Sequence, residues 1–525
     1  MARIEIYDTT LRDGSQGEGV CFSVQDKVLI CRKLDELGVD FIEGGYPLSN
    51  PKDAAFFQEA RALRLNQARL TAFGMTRRKG VKADEDIGLN ALRNAETDYV
   101  TIVGKTWDLH ATQVLGVSLA ENLDMITDSV AYLTRLGRKV IYDAEHFFDG
   151  VRANPHYALE TITAAAQAGA ILICLCDTNG GSLPEHIAQG VAEARRCAGA
   201  SIGIHPHNDS ALAVANALAG VQAGASQVQG TINGIGERCG NVDLTAVIAN
   251  LRLKLNLECL RPESLERLTE TARYVFEVAN LNLLNNQPYV GSSAFAHKGG
   301  MHVHAVNKLS RSYEHVPPEA VGNTRRILIS ELSGVSNIAA KAGRKFHIEK
   351  DRAALKKVLD EVTTLEAQGY QFEAAEGSFE LILRRQIGRY RRFFELDQYH
   401  CAVSRRRGGQ VMTKVRLQLK VGGRRINAAA EGDGPVNALD GALRAALKRT
   451  YPGMAALHLV DYKVRVVNAT AESAAKVRVV AQFRSPEGVF GTIGVSENII
   501  EASWQALCDA VDYRLIHELE AKTTV

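Results

Sequence analysis

Over the first 250 or so residues, short apolar or β-branched runs alternate with longer amphipathic stretches, and this spacing predicts βα repetition. Eight runs carry strand character: "RIEIYD", "DFIEGGYP", "LTAFGMT", "YVTIVG", "KVIYDAEH", "AILICLCD", "SIGIHPH" and "SQVQGTI". Their starts recur roughly every 25 to 40 residues, and segments such as "VQDKVLICRKLDELG" and "NPHYALETITAAAQAG" between them space apolar residues as a helix does. Eight such units predict an α/β fold, a closed (β/α)8 TIM barrel. Polar residues follow the apolar part of each strand, in "DTTLRDGSQ", "EGGYP", "GMTRR", "DAEH", "DTNGG", "HPHND" and "NGIGERCGN". They therefore fall on the C-terminal face, where barrels of this kind carry their chemistry. A doubly wound open sheet is the competing fold, but no GxGxxG turn follows the first strand, which weakens its dinucleotide-binding form.

From about residue 262 the rhythm changes to a helical piece, "ESLERLTETARYVFEVANL", and then a loop-rich stretch with more helix to about residue 375. A helical linker subdomain beside the barrel mouth is predicted. From about Gln410 a weak internal repeat follows: "KVRLQLKVGGRRINAAAEGDGPVNALDGALRAAL" and "KVRVVAQFRSPEGVFGTIGVSENIIEASWQALCDAV". Each copy reads as strand, turn, strand, Gly-containing junction and amphipathic helix, a duplicated ββα unit forming a small α+β domain. Such a domain suits ligand binding or pairing with its own copy. The predicted division is 1–270 for the barrel, 271–405 for the linker and 406–525 for the tail.

Charge and cysteine usage narrow the partners. Lys plus Arg number 62 against 60 Asp plus Glu, a net charge of +2, so no overall field draws nucleic acid or an anionic membrane. The basic stretches "RRQIGRYRR" and "SRRRG" are read as a solvated helix face and linker. No run approaches the roughly 20 apolar residues of a membrane span, and no apolar signal core follows Met1. Nine scattered cysteines without a CxxC pair fit reduced thiols in a cytoplasmic protein. Cys174 and Cys176, in an apolar strand, are read as core packing.

Candidate chemistry gathers at the strand ends. In "IHPHND", alternation points His205 and His207 the same way and Pro206 the other. Alone the pair is a metal site or two polar residues closing a strand. Barrel order adds Asp13 after the first strand and Asn241 after the eighth, and mixed N and O ligands suit catalytic Mg²⁺, Mn²⁺, Co²⁺ or Zn²⁺. Arg12 beside Asp13 suits the carboxylate of a 2-oxo acid whose keto and carboxylate oxygens chelate the ion; it is otherwise a salt-bridge partner, of Glu43 for example. Glu145 stands where a general acid/base would, or is a surface carboxylate.

"DTTLRDGSQ", "HPHND", "GERCGNVDL", "HKGGMHVHA" and "EGDGPVNALDGAL" together resemble the isopropylmalate, homocitrate and citramalate synthase family, over nearly the whole chain. "EGGYPLSNPKD", "GKTWDLH", "YDAEHFFDG", "CDTNGG" and "DYKVRVVN" are most similar to its citramalate-forming branch. The resemblance implies metal ligands at Asp13, His205, His207 and Asn241, carboxylate binding by Arg12, a substrate contact at Thr178 and a catalytic carboxylate at Glu145. It implies further catalytic groups at His297, His302 and Tyr313, on a post-barrel segment that crosses a homodimer to the partner's site. Without it, these histidines read as surface residues. Two departures stand out: Pro206 replaces the threonine or cysteine many relatives have, and His304–Ala305 stand where many have Asp, which puts that loop's acetyl-CoA contact in doubt.

The implied reaction is metal-dependent condensation of acetyl-CoA, as co-substrate, with pyruvate. The tail would then bind isoleucine as effector, a plain dimerisation domain being the alternative. Competing readings are isopropylmalate synthesis from a bulkier 2-oxo acid, homocitrate synthesis, an acyl-CoA lyase, and a non-catalytic amino-acid-binding regulator. The intact set Arg12, Asp13, Glu145, His205 and His207 argues against the last.

Overall fold

The computed structural model describes residues 3–329, 335–348, 350–405, 409, 411–467, 475–486 and 488–523. It divides into two compact units: Met1–Phe295 with Val316–Thr324, and Ala296–His315 with Arg325–Val525.

The first unit is the predicted barrel. Eight parallel strands, β1 (Glu5–Asp8), β2 (Phe41–Glu43), β3 (Arg69–Met75), β4 (Tyr99–Lys105), β5 (Lys139–Glu145), β6 (Ala170–Asp177), β7 (Ser201–Pro206) and β8 (Gln227–Gly230), close in sequence order. β1 joins the ends, pairing with β2 on one side and β8 on the other. Local chemistry sets the helices between them. α1 (Val24–Leu37) starts at a capping box in which Ser23 and Asp26 satisfy each other's backbone N–H, and stops at Gly38, whose φ of 92° closes the last turn without a Cβ penalty. The helix Pro155–Gln167 starts from Asn154, whose side chain accepts from Tyr157 N, with Pro155 where its missing N–H is not needed.

Inside the barrel the residues sort by height. Tyr7, Phe41, Tyr99, Ile141, Leu172 and Cys174 form an apolar floor, with Tyr7 stacked on Phe41 at 5.6 Å between ring centroids. The Tyr7 hydroxyl donates to Glu43 at 2.6 Å and lies 2.7 Å from Thr101 Oγ1, so the interior turns polar toward the strands' C-terminal ends. Along β5, Ile141, Asp143 and Glu145 alternate with outward Tyr142 and Ala144, which carries one carboxylate into the interior and a second to its rim. Among the described residues no helix is long and apolar enough to cross a membrane.

In the second unit, β9 (Ala296–His297) pairs with β10 (Arg326–Ile327), and helices Arg352–Ala367 and Glu376–Gln386 precede two three-stranded antiparallel sheets. The first is β11 (Phe394–Arg405), β12 (Val411–Val421) and β13 (Arg424–Gly432), followed by a helix Pro435–Leu447. The second is β14 (His458–Val466), β15 (Val477–Ser485) and β16 (Gly488–Ser496), followed by a helix Ile499–Thr523. The internal repeat is present, with one strand more per copy than predicted. Leu417, Leu419, Leu443, Phe483, Trp504 and Leu507 share its core. Of the basic stretches, Arg406 and Arg407 lie outside the described residues, and Arg384 corrects the reading of a solvated face. It is 2% exposed and bonded to Glu380 and to both carboxylate oxygens of Glu520.

Candidate active site

His205 and His207 converge as alternation requires, their rings 5.3 Å apart. Pro206 ends β7 and costs no ladder bond there: its carbonyl accepts from Val242 N at 3.0 Å, and the next N–H, of His207, donates to Asp177 O. Asn241 is brought opposite His207 by the loop "GIGERCGN". The loop can fold this tightly only around glycine, since a Cβ on Gly236 would lie 2.2 Å from Asn241 Nδ2 and one on Gly240 2.0 Å from Gly234 O.

Acceptor atoms crowd the centre. Gln229 Nε2 donates to Asp143 at 3.2 Å, which turns its Oε1 toward His205 Nδ1 at 3.1 Å. Nδ1 therefore carries a proton, and Nε2 faces Asn241 Oδ1 at 3.1 Å and Asp13 Oδ2 at 3.5 Å. Asn241 Nδ2 is committed to Ile235 O, so its amide cannot turn a donor inward. Asp13 Oδ2 and His207 Nδ1 are buried without a hydrogen-bond partner among the described residues. Burial keeps the His207 imidazole unprotonated, pushed down to about 3 with His205 beside it contributing. Burial alone would raise the Asp13 carboxyl, but the Arg12 guanidinium beside it holds it below its ordinary value. Converging lone pairs of two imidazoles, a carboxylate and an amide repel one another unless a cation lies among them, and that donor set fits a hard or borderline divalent ion.

Arg12 is placed as the salt-bridge partner of Glu43 that one of its two readings foresaw. Its guanidinium pairs with Glu43 and Asp13 and lies 3.8 Å over the Phe73 ring. Glu145 is bonded to Lys105 of the neighbouring strand, and Thr178 Oγ1 accepts the His146 N–H at 2.9 Å. The Thr178 carbonyl is taken by Arg238, itself held by Asp209 of "HPHND" at 2.8 and 2.9 Å. His146, next to Glu145, adopts φ 55°, a strained conformation for a residue with a side chain. Asp149 fixes its ring at 3.0 Å, and the His110 ring lies 4.3 Å away.

The second unit holds the remaining expected residues. His297 Nε2 lies 3.2 Å from Glu314 Oε1, and Arg325 donates to both Glu314 oxygens. His302 is exposed and stacks on Tyr313 at 4.2 Å, and His304 is exposed.

Sequence reasoning missed Lys105, Asp143, His146 and Gln229. Asp143 and Gln229 sit at inward positions of their strands, and that alternation is the signal that could have found them. Asp143 also lies with Cys174 and Cys176 so that one donor atom from each is within 4.8 Å of the others. Burial pushes the Asp143 carboxyl and the Cys174 thiol far above their usual ranges, and the Cys176 thiol is raised to about 11. Neutral groups of this kind pack rather than ligate, which agrees with reading the two cysteines as core.

Comparison with known proteins yields three family models in chain order. Residues 3–275 match the HMGL-like model, 289–370 the homocitrate synthase post-HMGL domain-like model and 373–515 the LeuA allosteric (dimerisation) domain. The chain is 50% identical to the (R)-citramalate synthase of Aquifex aeolicus, over 99% of both chains. It is 49% identical to that of Geobacter sulfurreducens, over 98% of both. It is 31% identical to the 2-isopropylmalate synthase of Methanocaldococcus jannaschii, over 97% of this chain and 94% of that one.

Proposed function

Because the chain belongs to the HMGL-like family, and over almost its whole length to the (R)-citramalate synthases within it, we propose that it condenses acetyl-CoA with pyruvate to give (R)-citramalate and free CoA. The observation that carries the assignment to particular residues is the convergence of ligand atoms from Asp13, His205, His207 and Asn241 beside the Arg12 guanidinium. These four residues would hold Mg²⁺, Mn²⁺, Co²⁺ or Zn²⁺, which when bound polarises the keto group and offsets the negative charge that develops on its oxygen.

The chain's own residues do the rest. Arg12 neutralises the pyruvate carboxylate. Thr178, whose Oγ1 already accepts from His146, has its own hydroxyl proton left to donate to that carboxylate. Gln229 holds the His205 tautomer that presents a lone pair. Glu145 takes a proton from the acetyl methyl group, and His297, His302 and Tyr313 form the relay for the later proton transfers. The LeuA-type tail supports a homodimer, in which the segment carrying these three residues completes the partner's site, with isoleucine as effector in isoleucine biosynthesis. Free cysteines throughout support a cytoplasmic location.

The test is free-thiol release from acetyl-CoA with a panel of 2-oxo acids, with and without chelator and isoleucine. Pyruvate should turn over fastest, chelator should stop the reaction and isoleucine should slow it. Fastest turnover with 2-oxoisovalerate would transfer the assignment to isopropylmalate synthesis, and indifference to chelator would remove the ion.

A further inference from the structure

Pairing of β4 with β5 sets Lys105 directly across from Glu145, and Lys105 Nζ donates to Glu145 Oε2. The same lysine, 14% exposed, lines a cavity of about 300 Å³. Leu48, Met75, Ile87, Val103 and Leu115 give the cavity apolar walls, while Arg78 and Lys79, also lining it, are exposed cations. Nothing assigned above uses this space or this lysine. Its lining, which also includes the Asp86 partner of Arg78, offers a donor for an uncharged carbonyl, apolar walls for a long weakly polar arm and cations for phosphates, the parts of an acyl thioester of a nucleotide-bearing carrier.

We propose that this cavity receives the acetyl thioester and that Lys105 is the hydrogen-bond donor for its carbonyl oxygen; the assignment rests on the synthase reading above. Glu145 removes a proton from the methyl carbon. The C–H electron pair becomes the enolate C=C bond, and the carbonyl π pair moves to oxygen, where the Lys105 ammonium donates to it. The enolate carbon then attacks the keto carbon of the 2-oxo acid, whose C=O π pair moves to its own oxygen and is protonated there through the relay named above, and the thioester carbonyl reforms. Negative charge thus passes from the Glu145 carboxylate to the enolate oxygen while the cation stays beside both. The ion pair Glu145/Lys105 becomes enolate/Lys105, so the step creates no new unpaired charge in a low-dielectric site.

Lys105→Met, Lys105→Arg and Leu115→Trp, assayed in the full-length protein, test this. Loss of one preorganised donor should lower the kcat of Lys105→Met by roughly 100-fold, with pyruvate KM and Mn²⁺ affinity within about twofold of wild type. Lys105→Arg, which keeps a cationic donor, should recover about tenfold of that loss. Leu115→Trp, which fills the cavity, should raise the KM for acetyl-CoA by about tenfold and leave that for pyruvate unchanged. A Lys105→Met enzyme within about threefold of wild-type kcat would overturn the role of the lysine, as would one that loses Mn²⁺ binding in step with activity. An unchanged acetyl-CoA KM in Leu115→Trp would overturn the role of the cavity. If the wild type itself released no thiol from acetyl-CoA with pyruvate, the synthase reading would fail instead.

Discussion

Replacing Arg12 by Met should destabilise the barrel more than a loss of one surface charge could, because its carboxylate partners stay behind. Glu43 is fully buried and Asp13 is 4% exposed, and both pair with this one guanidinium. Breaking a buried pair by deleting one partner costs about 3–5 kcal/mol, since the other charge is left uncompensated. Two effects pull this figure apart. The Tyr7 hydroxyl at 2.6 Å still supports Glu43, which moderates the loss, while the stack on Phe73 is also removed. A value near 4 kcal/mol corresponds to a fall in Tm of roughly 8–15 °C for a barrel of this size. The two tryptophans lie in different units, so Trp107 fluorescence in a Trp504→Phe background reports the barrel transition alone. The deficit also has a pH signature. Burial already raises the Glu43 carboxyl above its ordinary 4.5, and removing Arg12 raises it further. A group whose folded value is raised binds its proton more tightly in the native state, so the variant loses little below about pH 4.5 and more as pH rises. Adding Glu43→Gln to Arg12→Met removes the stranded charge and should recover part of the stability. A Tm within about 3 °C of wild type, or a double variant weaker than Arg12→Met, would refute the reasoning.

Gln229→Leu should weaken Mn²⁺ binding by roughly 10- to 100-fold in titration calorimetry with the fold intact, because His205 would lose the acceptor that fixes its tautomer. Equal affinity would show that His205 needs no such support. In the second unit, burial would raise the Glu380 carboxyl, but His517 and Lys345 bring it down to about 2 from 4.5. Its contribution, on the order of 3 kcal/mol, is therefore present above pH 4.5 and lost as pH falls toward 2. Trp504 fluorescence through an acid titration in a Trp107→Phe background should show this loss in wild type and a flatter profile in Glu380→Gln; identical profiles would exclude it.

What could be read in the sequence was whatever repeats along a single strand. Barrel strands are apolar until they reach the mouth and then turn polar, so their number, order and orientation were legible, and period-2 alternation alone made His205 and His207 a pair. The tail's strands β11 and β14 were missed for the converse reason. Most positions of "FELDQYHCAVSR" and "HLVDYKVRV" are exposed in this unit, and each strand lies at the edge of its sheet, so neither shows an apolar face to count.

The residues missed at the site have roles that arise between strands. Lys105 looks like any strand-end lysine until register places it across from Glu145, and Gln229 looks like a spacer until β7 and β8 lie side by side. Each modifies a neighbour that alternation had already found: Lys105 sets the charge beside the carboxylate, and Gln229 sets the tautomer of the histidine. A site built this way separates two kinds of substitution. On the proposed mechanism, changes at Asp13, His205 or Glu145 would remove a reacting or ligating group outright. Changes at Lys105 or Gln229 leave every such group present and alter only the protonation, orientation or charge balance in which it works.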